Sequence, residues 1–430
     1  MNEYIRTLTG WARRAFFKNY AAVNHTRVKL FVLCPSYLQS LKSQMKVIFR
    51  IVNSTVAVVF SLTGTTMAIK LAFRMSSSIS FIAGSSALQI IRDEGLKPDR
   101  ISVVAGAAGG PKWLVLGGID RALFPGSFRN RKKPLFMIGS SIGSWRFAAL
   151  AQNNQKEALD VFESAYLDQS YSRMPTAAEV TDVSQRILDS YVDDAKTDEI
   201  LGHPYLRLSM LSVRSKGIFT AESRSALAAG MALASLCNIF SRGLMRLFFN
   251  RTIFYDPRDI PPFINLTGFP IHRIPLTSDN FRQAVIASGS IPLVMSGVRD
   301  IPGAPGGVYR DGGMLDYHLD IPFDPDHEHL VLYPHYTDRI IPGWLDKHLP
   351  WRKAHDRNMS NVLIVCPSKS FVSNLPFGKI PDRNDFMRFR GRDKERLAYW
   401  NAAVAEGRKL GDAFSDAVES GSIRRLVRPY

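Results

Sequence analysis

From Met75 onward, short apolar runs alternate with longer stretches in which apolar positions recur three and four residues apart, and turn formers separate the two. Continuous apolar runs bounded by Gly, Pro and Asp are strand signals, and the wider spacing marks helices with one buried face. The pattern predicts strands over 101–105, 134–138, 205–213, 272–276, 308–313, 329–333 and 361–366. It predicts a short amphipathic helix from Ser78 through 87–92, which Gly95 and Pro98 terminate, and helices over 113–123, 144–150, 155–170, 177–194, 281–289 and 394–410. Strands alternating with helices read as one α/β unit with additions. No internal repeat or long low-complexity linker interrupts it.

Two uncharged stretches stand apart. Residues 51–69 approach the length of a membrane span, but Asn53, Ser54, Thr55, Ser61, Thr63, Gly64, Thr65 and Thr66 weaken it. It reads as a weak signal-anchor, an uncleaved targeting segment or the product of an early translation start. As a span it would leave the N-terminus in the cytoplasm, because the Lys and Arg precede it. Residues 225–241, rich in Ala, Leu and Met, read first as a buried core helix. The functional alternative is an apolar lid or acyl-chain wall whose basic rim, Arg242, Arg246 and Arg251, sits on lipid headgroups.

Composition narrows the class. With 46% hydrophobic and 11% aromatic residues in 430, the chain builds a packed core and is not disordered. Its three cysteines, Cys34, Cys237 and Cys366, are too widely spaced for a disulfide framework or a metal pair, which points to a reducing compartment. The net charge of +17 is uneven: residues 1–74 hold 11 of the 55 Lys and Arg but one of the 38 Asp and Glu. This divides the chain into a basic extension, 1–74, and a folded body, 75–430. No basic run in the body is interleaved with stacking aromatics, which argues against nucleic acid. A moderately cationic body suits an anionic lipid surface, and the expected location is cytoplasmic and peripherally membrane-associated, or anchored through 51–69.

The chemistry gathers at Gly139-Ser140-Ser141-Ile142-Gly143. The run 134–138 has strand character and 144–150 is helical. Strand, Gly-x-Ser-x-Gly and helix are the layout of a nucleophile elbow, in which the flanking Gly139 and Gly143 let the chain pass and the central serine projects at a helix head. Upstream, the strand 101–105 runs into Gly106-Ala107-Ala108-Gly109-Gly110-Pro111-Lys112 and a helix. Pro111 fits the first helical position, and the loop offers bare backbone N–H groups to an anion. A tight β-to-α turn is the plainer reading. The glycine spacing and Trp113 after the lysine argue against a nucleotide P-loop. Lys112 opposes the helix dipole there, so it either meets an anion or extends into water.

A serine hydroxyl needs a base within hydrogen-bond reach. By chain order His318 or His335 would complete a Ser–acid–His triad, while His203, before a proline, reads as structural. Asp311 ends an apolar strand, and Gly312-Gly313 after it remove side-chain bulk. The same Asp-Gly is also a hairpin former. Asp316 and Asp320 are rival bases. The run Asp324, Asp326, His327, Glu328 and His329 holds metal-ligand residue types but reads as an exposed turn.

In this order, the small-residue loop ending at Lys112, Gly139-Ser140-Ser141-Ile142-Gly143 and Asp311-Gly312-Gly313 resemble the patatin-like phospholipase family. The run Ala287-Ser288-Gly289-Ser290-Ile291-Pro292 is similar to its small-residue segment before the acid. The resemblance covers about residues 101–320 and departs from the family at Ala108 and Trp113. It implies a three-layer α/β/α fold with a mostly parallel sheet and a Ser141–Asp311 dyad without histidine. The backbone of Gly109 and Gly110, with Lys112, would form the oxyanion hole, with no metal or other cofactor. The implied activity is hydrolysis of phospholipid or other fatty-acyl esters at a membrane surface. The competing classes are a non-catalytic lipid-binding scaffold and an acyltransferase.

Overall fold

In the computed structural model, which describes residues 78–324, 326 and 329–430, eleven strands form one mixed sheet. The expectations for 1–74 and for 51–69 lie outside these residues. The strands are β1 (Ile79–Ala83), β2 (Ile101–Gly106), β3 (Leu135–Ser140), β4 (Leu206–Ser215), β5 (Phe249–Tyr255), β6 (Ile271–Pro275), β7 (Val298–Arg299), β8 (Val308–Asp311), β9 (Leu330–Pro334), β10 (Val362–Pro367) and β11 (Arg428–Pro429). Their order is β11-β1-β10-β9-β2-β3-β4-β5-β6, with β8 added to β4 and β7 to β8.

The central run β10-β9-β2-β3-β4 is parallel throughout. Its strands are buried along nearly their whole length. That is the condition of a parallel sheet with helices on both faces. The fold is therefore three-layered α/β/α around a mostly parallel sheet. Antiparallel pairing is confined to β1 with β10, β4 with β5 and β8, and β7 with β8.

The helices that bear on the site are α1 (Gly117–Ala122), α2 (Ile142–Leu150), which packs on β3, α3 (Arg224–Phe240) and α4 (Ser278–Gly289), which packs on α2 and β4. The helix expected over 113–123 is instead a 3₁₀ turn, Gly110–Val115, followed by the short α1. Gly118 lies within α1, where an added Cβ would come within 2.3 Å of the Gly407 carbonyl oxygen, so glycine there lets the helix Asp393–Glu419 pack directly on α1. Buried Arg146 of α2 places its Nε 3.0 Å from Asp120 of α1, an ion pair that ties the two together.

Four strands escape the periodicity: β1, β5 and the two-residue β7 and β11. The helix expected from Ser78 is corrected: Ile79–Ala83 is strand β1 and the helix begins only at Ser85, because with a single residue, Gly84, between them the two apolar patterns merge in the sequence. β5 carries Arg251, a buried charge that interrupts the apolar run. Its guanidinium makes two 2.7 Å hydrogen bonds to Asp316, which makes its burial tolerable.

The expectation of a buried core helix over 225–241 is corrected. In α3 only Leu227, Gly230, Ala234 and Asn238 are buried, one narrow stripe. Leu233, Leu236, Ile239 and Phe240 face outward, Phe240 at 82% exposure. A helix apolar all round does not declare which side meets the core, and here small residues took the inner stripe.

Candidate functional site

β3 ends at Ser140 and α2 begins at Ile142, so Ser141 alone makes the turn. It does so at φ 55°, ψ −126°, a conformation costly for any residue with a Cβ. The turn is held from three sides. An added Cβ on Gly143 would lie 2.1 Å from the Gly106 carbonyl oxygen, so α2 rests directly on the end of β2. The Ser141 backbone N–H donates to the Ser288 hydroxyl of α4 at 2.9 Å. That hydroxyl donates to the Leu211 carbonyl of β4 at 2.7 Å, and Ser144 donates to it at 2.8 Å.

Asp311 reaches the same point from the opposite direction. Ser140 pairs with Leu211 of β4, and Asp311 pairs with the next residue, Ser212. β3 and the antiparallel β8 thus meet end to end along one edge of β4. A Cβ on Gly312 would sit 2.2 Å from the Leu211 carbonyl oxygen, so only glycine lets the chain turn there. The turn is a 3₁₀ one, Gly312–Met314, and not a two-residue hairpin.

The Ser141 hydroxyl donates to Asp311 Oδ2 at 2.7 Å, and Asp311 Oδ1 accepts from the Gly313 N–H at 2.6 Å. Both side chains are buried. Burial pushes the Asp311 carboxyl above the ordinary carboxylate range; Arg383, the Ser141 and Gly313 hydrogen bonds, and Lys347 pull the other way.

The loop before Lys112 is pinned at Ala108. Its N–H donates to the Tyr317 carbonyl at 2.9 Å, and its carbonyl accepts from the Tyr336 hydroxyl at 2.6 Å. The chain then turns at Gly110 (φ 57°). Among the described residues, the backbone N–H groups of Gly109 and Gly110 have no acceptor. Lys112 holds its ammonium 4.8 Å from the Tyr336 ring centroid, and burial lowers its pKa. Trp113 turns away from the loop and stacks on Phe162, with centroids 4.5 Å apart.

The rival bases are engaged elsewhere. His318 Nδ1 accepts from the Ile341 N–H at 3.0 Å and its Nε2 lies 2.6 Å from the Tyr336 hydroxyl, so it props the loop. His335 Nδ1 accepts from the Thr337 N–H, and burial pushes its pKa down to about 3. Asp316 is held by Arg251, and Asp320 by His355 and Asn358. His203 Nδ1 accepts from the Leu206 N–H, a structural role. Asp324 and His329 lie 3.6 Å apart, while His327 and Glu328 fall outside the described residues. No group of three metal-ligating residues occurs among those described.

Ser141 and Asp311 line a cavity of about 670 Å³, walled by Met231 and Ile239 of α3, Met314, Trp344 and Leu345. A second cavity of about 300 Å³, lined by Ile142, Trp145, Val180, Ile187 and Phe386, also opens on Ser141. Sequence reasoning missed several residues that shape this site. Ser288 lay within a run already singled out as small, but Tyr336 and Arg383 in loops, and Lys347 in the 3₁₀ turn Trp344–His348, carry no local signal.

Fold and site together define an α/β protein with a strained serine hydroxyl hydrogen-bonded to a buried carboxylate at the floor of a largely apolar cavity. No family model and no curated protein matches the chain. Among solved structures it is similar to VipD from Legionella pneumophila, with 11% identity and a TM-score of 0.27 over 56% of this chain and 50% of that one. It is also similar to human GIVD cytosolic phospholipase A2, with 10% identity and a TM-score of 0.32 over 79% of this chain and 63% of that one. The chain thus spans less than two thirds of the length of either.

Proposed function

We propose that the protein is a serine acyl hydrolase of the patatin-like phospholipase kind, cleaving fatty-acyl esters through a Ser141–Asp311 dyad. The observation that carries this reading is the 2.7 Å hydrogen bond from a serine in a strained turn to a buried carboxylate. Asp311 takes the Ser141 proton as the oxygen attacks the ester carbonyl. The oxyanion is met by the free N–H groups of Gly109 and Gly110, assisted by the charge of Lys112. Asp311 returns the proton to the departing alcohol. A water, deprotonated by the same carboxylate, then releases the fatty acid and restores Ser141.

A membrane surface is the proposed partner. Leu233, Leu236, Phe240 and Leu247 are exposed beside Arg246, and Ile239 of the same helix both faces outward and lines the cavity. Of the expected basic rim, Arg251 is buried on Asp316 and Arg242 turns inward to Asp346, which leaves Arg246 beside an apolar face that favours extraction of acyl chains from a lipid layer.

The deciding experiment is intact-mass analysis after treatment with a fluorophosphonate. One adduct is expected on Ser141 and none on the Ser141→Ala variant. A folded protein that takes no label, or takes it at another residue, overturns the hydrolase reading in favour of a non-catalytic lipid-binding scaffold.

A further inference from the structure

Three cations line the serine cavity: Lys112, Lys347 and Arg383. Lys347 holds its ammonium 4.1 Å from the Tyr317 ring centroid and 5.2 Å from that of Trp344. Lys112 lies over Tyr336, and Arg383 extends over the Gly110 backbone. Among the described residues, none of the three has a carboxylate within ion-pair distance. The acid nearest in sequence, Asp382, is held by Lys379 at 3.2 Å and also lines the cavity, where it acts on Lys112 and Lys347 without pairing with either.

Half-buried like charges repel, and that cost persists unless an anion offsets it. The repulsion is visible at Lys347, whose pKa falls to about 7 through burial and then through Arg383 and Lys112, with Asp311 and Asp382 offsetting only part of the fall. Across Ser141 lies the second cavity, apolar apart from Gln169 and Arg383 at its edge and a few hydroxyls. The serine thus sits where a cationic wall meets an apolar recess. An amphiphile with its ester at Ser141 would extend its chain one way and its polar part the other.

We propose that Lys347 and Arg383, with Lys112, form a subsite for an anionic group carried by the acyl ester, a phosphate or a carboxylate placed close to the scissile bond. This rests on the acyl-hydrolase reading of Ser141. Planar Arg383 suits two oxygens of such a group, and the lysines supply point charge. Lys347, in the 3₁₀ turn Trp344–His348, and Arg383 lie outside the three motifs, so the selectivity belongs to segments particular to this chain.

The subsite has a mechanistic consequence. Arg383 and Lys347 both hold the Asp311 carboxyl down. A bound anion screens them and makes Asp311 a stronger base, so the correct substrate activates the site that cleaves it. The charged and titratable groups facing Asp311 around this cavity are Lys112, Tyr317, Lys347, His348, Asp382 and Arg383.

The test compares lauroyl lysophosphatidic acid with monolauroylglycerol, two esters of one chain differing in the phosphate. The wild type is expected to favour the anionic ester in kcat/KM by on the order of tenfold or more. Lys347→Met and Arg383→Met should each cut that preference by on the order of tenfold, and Lys347→Arg should restore it. With the anionic ester alone, the acid limb of kcat should lie at higher pH than that of kcat/KM. Equal turnover of the two esters, or a preference unchanged in both Met variants, overturns the proposal.

Calorimetry on the Ser141→Ala protein separates this outcome from failure of the hydrolase reading. Binding of lysophosphatidic acid that weakens in both Met variants upholds the subsite even if no ester is hydrolysed. Inorganic phosphate binding as tightly as the lipid would assign the cluster to free phosphate and overturn the ester. Charge-retaining Arg383→Lys, checked for an unchanged melting temperature, keeps the comparison meaningful if the Met variant fails to fold.

Discussion

The backbone N–H of Ser141 is held by the side chain of Ser288, 147 positions later, at 2.9 Å. This bond fixes the turn from which the nucleophile projects, and it spans two helices and a strand. Ser288→Ala would leave the Ser141 N–H and the Ser144 hydroxyl without that partner in the interior. A loss of about 1–3 kcal/mol in stability is expected, read from urea denaturation, together with a fall in kcat. Unchanged stability would mean that the turn is held by Gly143 and Gly106 alone.

Asp311→Asn is expected to lower turnover by roughly 10²–10⁴-fold, the usual share of a general base. His318→Gln should keep most of the turnover and the wild-type pH profile, because its ring supports Tyr336 and does not touch Ser141. A folded His318→Gln protein with the activity of Asp311→Asn would restore a triad.

The same carboxyl predicts a pH effect of definite sign. Its folded pKa is raised by burial, so the native state keeps a proton that the unfolded chain has already lost. Stability therefore falls as pH rises from the ordinary carboxylate value through the raised one, and the loss persists at neutral pH. Asp311→Asn removes that loss, so the inactive variant should melt higher than wild type at pH 7. Activity needs the ionised form and should fail on acidification at a pH above the ordinary value of about 3.9. Thermal melts and rate profiles between pH 4 and 8 check both statements.

Strain at Ser141 is separable from chemistry. Ser141→Ala and Ser141→Gly both remove the hydroxyl, but only glycine is at ease at φ 55°. The glycine variant is expected to exceed the alanine variant by about 1 kcal/mol in stability, measured as a shift in urea midpoint. Equal midpoints would show that the turn stores no strain.

The exposed face of α3 yields a binding prediction. Leu236→Asp with Phe240→Asp should weaken sedimentation with anionic phospholipid vesicles severalfold, without shifting the melting temperature, since both side chains are exposed. Binding unaffected by the pair would move the membrane contact away from α3.

Much of this was legible before the fold was known. The strand, the Gly-x-Ser-x-Gly turn and the following helix lie within sixteen consecutive residues, 135–150, and local spacing suffices to read them. The parallel strands were visible because burial on both faces makes them apolar throughout. β5 was not, because its buried Arg251 depends on Asp316, sixty-five residues away. The outward side of α3 was misjudged because its composition is apolar all round.

What the chain determined by itself is which short segments bend, extend or coil, and that one serine and one aspartate each end a strand beside glycine. Only the tertiary structure decided that they meet. β3 and β8 dock on consecutive residues of β4, Leu211 and Ser212, and that register brings Ser141 to Asp311. It also decided that Lys347, in a 3₁₀ turn, and Arg383, in a loop, neither within a motif, face the same cavity. Strand registry and loop placement arise from packing between distant segments, and no local period encodes them.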